Sequence, residues 1–167
     1  MTSPSPQPAL VLDTSVLIDL YHAHILIVTF RLPFRMLAPD VIIDELRADS
    51  GRQVVQDGAE VATFSPDEIL RIEKLARKHR RVSVNDLFAL HLAQRERAVL
   101  ITGDGSLRAL AESQDVAVHG VLWVLDELVN GGFLSQGEAA NALRAMQSHK
   151  ARLPHKEVLK RLAAWGP

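Results

Sequence analysis

The stretch ALVLDTSVLIDL, residues 9–20, runs apolar through Leu12, meets a carboxylate at Asp13 and then turns polar for three residues. Four apolar residues without alternation are what a strand covered on both faces requires, and such strands belong to parallel sheets. An acid directly after such a strand is a helix cap, a phosphate-transfer nucleophile or a metal ligand. The stretch alone leaves the three open.

Outward from it, strand and helix signals alternate. RMLAP (35–39), AEVATFS (59–65), AVLIT (98–102) and VAVHG (116–120) read as further short strands. Residues 14–24 read as a helix, 25–35 are ambiguous, and Asp40 is placed to cap a helix through VIIDELRA. Ser65-Pro66 followed by two acids is a helix start, with an expected apolar stripe of Ile69, Ile72, Leu75 and Ala76. Ser83 opens the next helix, and Ser106 stands at the head of another. Helical segments near 121–130, 136–148 and 155–164 close the chain. Strands separated by helices predict βαβ units: an α/β fold, an α/β/α sandwich around a central, mainly parallel sheet. Ligands of such sheets gather beyond the carboxyl ends of the strands, which puts Asp13 and Asp104 on one edge. The expected organisation is a disordered lead-in over 1–8 and a single domain over 9–167, with a core at 9–120 and a helical part at 121–167.

Composition narrows the classes. Hydrophobic residues make up 47% and charged residues 23%, an ordinary globular balance. The absence of cysteine removes disulfides, thiolate metal sites and Cys nucleophiles. MTSPSPQP lacks the basic and apolar regions of a signal peptide, and no apolar run approaches the roughly 18 residues of a membrane span. A soluble, cytoplasmic protein is expected. The net charge of −1 means that any affinity for nucleic acid has to come from a local patch.

Taken singly, the acids have structural explanations. Asp13 and Asp104 fit helix caps, Asp86 completes the outline of a capping box with Ser83, and Asp44 and Glu45 complement a helix dipole. Taken together they differ. A parallel sheet brings strand ends and helix starts to one rim, and two carboxylates about 4 Å apart repel by about 4 kcal/mol at an effective dielectric near 20. Such a cluster persists when protons or cations neutralise it. Mg²⁺ prefers carboxylate oxygens, keeps several waters and binds phosphates, so four acids at one rim point to metal-dependent phosphodiester chemistry.

LVLDTSVLI, APDVIIDEL, SVNDLFALHLA and VLITGDGSLRALA resemble, in order, spacing and flanking residues, the PIN-domain nucleases. The resemblance covers about residues 9–120, and HGVLWVLDELVNGGFLSQGEAANALRAM is similar to a bacterial branch of the family. It implies an α/β/α sandwich, Mg²⁺ or Mn²⁺ as cofactor, and hydrolysis of RNA through Asp13, Glu45, Asp86 and Asp104. Ser15 and Thr102 match positions where the family often carries small hydroxylated residues that support the acids. The match to the family's closing Glu-Leu favours Glu45 over Asp44; at about 100° per residue the two cannot share a direction. Many bacterial members, the VapC-type toxins, form homodimers silenced by an antitoxin peptide, so both partners are expectations here. A non-catalytic RNA- or protein-binding module is the alternative.

Other readings fit less well. A HAD-like phosphohydrolase needs an acid two residues after Asp13, where Ser15 stands, and a further Asp near 104, which residues 105–110 lack. Neither a G-x-G-x-x-G after the first strand nor a P-loop is present. The run Arg77-Lys78-His79-Arg80-Arg81 reads first as cations at a helix C-terminus and second as a phosphate contact. Ile25-Leu26-Ile27-Val28 reads first as core.

Overall fold

The computed structural model describes residues 5–166, and the part of the expected lead-in at residues 1–4 lies outside them. Ser5–Pro8 are exposed and have no regular structure. The strands are β1 (Ala9–Leu12), β2 (Arg35–Pro39), β3 (Glu60–Ala62), β4 (Val99–Ile101) and β5 (Val118–His119). They form one sheet in the order β3-β2-β1-β4-β5, with every pairing parallel. The helices are α1 (Thr14–His22), α2 (Leu26–Thr29), α3 (Asp40–Glu45), α4 (Arg52–Gly58), α5 (Pro66–Lys78), α6 (Val84–Glu96), α7 (Gly105–Ser113), α8 (Val121–Asn130), α9 (Gln136–Ser148) and α10 (His155–Trp165).

β1 lies at the centre with all four residues buried, as its unbroken apolar run requires. The chain leaves it for β2 and β3 on one side and returns to β4 and β5 on the other. The gap between β1 and β4 is therefore the switch point of the sheet, where open α/β folds form a ligand crevice. Helix α6 packs on β1, β2 and β4 with α5 and α7 beside it, while α1 packs with α8 and α9. Leu87, Leu90 and Leu92 of α6 are wholly buried.

Several expectations need correction. Asp40 does not cap α3: Pro39 occupies the cap, and the Asp40 carboxylate accepts the N–H of Val41 at 2.9 Å. Proline's fixed φ ends the strand and sets the turn into the helix one residue earlier than the acid suggested. The helix also stops at Glu45 rather than running through VIIDELRA. Leu46 turns extended and sinks into the core, and its carbonyl accepts from Arg52 Nε at 2.8 Å. A short 3₁₀ turn (Ala48–Ser50) and α4 follow, neither of them expected from the sequence. The third strand is three residues long instead of seven. On α5 only Ile72 is fully buried; Ile69 faces solvent, because α5 is an outer helix leaning on α6. Ile25 and Leu26 join the core, whereas Ile27 is exposed.

Candidate active site

β1 and β4 pair in register, Leu12 opposite Ile101, so Asp13 and Thr102 leave the sheet side by side. The Asp13 N–H donates to the Ile101 carbonyl at 3.2 Å, continuing the ladder by one bond. Asp13 then caps α1, its Oδ1 accepting the Val16 N–H at 2.9 Å and the Ser15 hydroxyl at 3.0 Å. The Thr102 hydroxyl donates to Asp13 Oδ2 and accepts the N–H of Asp104 at 3.1 Å. One buried hydroxyl thus ties the first acid to the fourth. Burial raises the pKa of Asp13; the bonds from Thr102, Val16 and Ser15 oppose that, and the charge of Asp104 adds to it.

Asp104 caps α7, its Oδ1 accepting the Leu107 N–H at 2.8 Å. Ser83 caps α6 by accepting the N–H of Asp86 at 3.1 Å, but the reciprocal half of the capping box is missing. Aspartate is one methylene shorter than the glutamate that completes the box at Ser65 and Glu68. Its carboxyl is left to face the cavity, and its pKa is pushed up to about 6. Burial is the main cause, followed by the charges of Asp13, Asp104 and Glu45, with the Ser83 bond opposing. Glu45 ends α3, where its Oε2 accepts from the Thr14 hydroxyl and the Asn85 amide, each at 2.9 Å. Asp44 is exposed and lies off the cavity, which settles the direction of the two adjacent acids.

Asp13, Glu45, Asp86 and Asp104 line one cavity of about 420 Å³ at the carboxyl rim of the sheet, with Ser15 beside them. Thr102 stays behind the wall, fully buried. The sequence reading missed two contributions. Asp19 also lines the cavity, and its pKa rises to about 6 through burial and the charge of Asp13. Its signal was available: it stands four residues after Ser15, on the same face of α1. Lys150 and Arg152 enter from the turn after α9, with Arg152 3.9 Å from Asp104 Oδ2. No local pattern announces them, since only the path of the C-terminal helices brings them there.

The donors suit a hard divalent cation: all are carboxylate oxygens, and their mutual repulsion, visible at Asp86, is what a cation relieves. Among the described residues no three acidic or histidine side chains already stand close enough to grip one ion. The cavity is an open, acid-lined basin rather than a closed coordination shell, and it leaves room for the waters that Mg²⁺ retains.

A family model for PIN domains, DUF3368, matches residues 9–167. The chain belongs to the PIN-domain family. No curated protein matches it. PIN domains are in general nucleases, and in this PIN domain the match extends through α8, α9 and α10, so the helices after residue 120 lie within the matched unit. Among the described residues no helix is long and apolar enough to cross a membrane.

Proposed function

We propose that this PIN domain is a Mg²⁺- or Mn²⁺-dependent endoribonuclease whose reaction takes place in the acid cavity. One observation carries the reading: four acids from four separate elements line a single cavity at the switch point of the sheet. A purely structural need for caps would be met without their convergence.

Asp13, Glu45, Asp86 and Asp104 would hold the cation, which supplies Lewis-acid polarisation of water and of the phosphoryl oxygens. Three hydrogen bonds fix the Asp13 carboxylate before any ligand arrives. Asn85 and Thr14 steady Glu45, the most exposed of the four. Asp86 keeps its proton up to about pH 6 in the metal-free cavity, and a cation held there would favour its ionised, ligating form. Lys150 and Arg152 offer positive charge to a phosphate at the mouth of an otherwise negative cavity.

The finer form of the reading is a toxin acting as a homodimer and silenced by an antitoxin peptide, supported by the resemblance to VapC-type members. Co-expression with the product of a small adjacent gene, relieving growth arrest, would bear on that role. The enzymatic claim is tested by incubating purified protein and RNA with Mn²⁺, alongside Asp13→Asn and Asp104→Asn. Wild type is expected to cleave and both variants to lose activity. Equal cleavage by all three would mean a contaminating nuclease and would overturn the reading.

A further inference from the structure

The acid cavity creates an electrostatic problem for its own substrate. RNA is a polyanion, the chain as a whole carries a net charge of −1, and the cavity is lined by carboxylates. Attraction has to come from a local concentration of cations close to the site.

Such a concentration lies along residues 77–81. Arg77, Lys78, Arg80 and Arg81 line a groove of about 660 Å³ whose other wall is α7, with the hydroxyls of Ser106 and Ser113. All four cationic residues are exposed. Among the described residues none of the four is in an ion pair, whereas Arg35, Arg95, Arg108, Arg152 and Arg161 each stand within 3.9 Å of a carboxylate. The dipole of α5 accounts for Arg77 and Lys78, which lie in its last turn. It does not account for Arg80 and Arg81, since the effect dies away within that turn and both residues lie beyond the cap at His79.

The segment is also held in place. His79 accepts the Val82 N–H at 3.1 Å, and the buried Val82 pins the far end. The next residue, Ser83, lines the acid cavity, and Ser106 of the groove is two residues beyond Asp104. Groove and cavity therefore adjoin at Val82 and Ser83, just before α6, and at the start of α7, between Asp104 and Ser106.

We infer that this groove holds the phosphate backbone of the single-stranded RNA on one side of the cleavage point, with Arg80 and Arg81 as its principal contacts. The inference rests on the ribonuclease reading for the nature of the strand, but its test is separate. Binding of a labelled single-stranded RNA to the Asp13→Asn protein is measured in EDTA across a salt series, with and without Arg80→Ala/Arg81→Ala. At roughly 0.7 per phosphate contact on a single strand, the slope of log K against log salt is expected to fall in magnitude by about 1.4. Affinity is expected to drop alike for all sequences, and Arg80→Lys/Arg81→Lys to restore most of it. Lys156→Ala/Lys160→Ala, the same charge change on α10, is expected to leave the slope unchanged. An unchanged slope in the Arg80/Arg81 variant, or an equal fall in the α10 control, overturns the groove whether or not the wild type cleaves RNA. If the groove variant loses the slope while wild type fails to cleave with Mn²⁺, the groove stands and the ribonuclease reading falls.

Discussion

Thr102 illustrates how little material holds the site together. Its fully buried hydroxyl donates a hydrogen bond to Asp13 and accepts one from the backbone N–H of Asp104. Thr102→Val keeps the shape but orphans a carboxylate oxygen and an N–H. Chemical denaturation should show a loss of about 1–3 kcal/mol, with Thr102→Ser close to wild type. A loss under about 0.5 kcal/mol would mean the bond is not a structural tie. At this scale the sequence was informative where an acid followed an apolar strand, as at Asp13 and Asp104. It was silent where only the tertiary path brings a side chain in, as at Arg152. Asp86 looked like half of a capping box, and the missing methylene is what sends its carboxyl to the cavity instead.

At the level of elements, the starts at Ser65 and Ser83 were legible because caps are local chemistry: each accepts the N–H three residues on. Ends and short pieces were not. Nothing around Leu46 announces that its burial will break α3, and α4 has no cap of its own beyond Gly51. Helix α5 offers an acid-sensitive tie to α6. The Ser65 N–H, His91 and Arg95 hold the Glu68 carboxyl down at about 2, against 4.5 for the free group. A lowered folded-state pKa stabilises above the unfolded value, so this contribution is present above about pH 4.5 and is lost as pH falls toward 2. Melting profiles of Glu68→Gln should therefore be flatter than wild type across that window, and parallel curves would contradict the assignment. Ser135→Ala, which breaks the capping box of α9, should cost about 1 kcal/mol in the same measurement.

Across the whole molecule, the alternation of strands and helices made the parallel sheet legible. Strand order was not written in any one segment, yet the order β3-β2-β1-β4-β5 is what turns separate caps into a common site. The same convergence buries acids and sets them near like charges. Asp86 and Asp19, both raised from 3.8 to about 6, keep their protons longer in the folded protein than in the unfolded chain. Metal-free stability should consequently fall as pH rises from about 4 to about 6. Asp86→Asn should be more stable than wild type at pH 7 and level with it near pH 4, as read by thermal melting without divalent ions. A cation bound in the cavity would remove that penalty at neutral pH. The most direct test of the four-acid site is therefore calorimetric titration of Mn²⁺ at neutral pH into wild type, Asp13→Asn, Asp104→Asn and Asp44→Asn. Wild type and Asp44→Asn should bind alike and the two cavity variants should lose binding; equal heats from all four proteins would contradict the metal site.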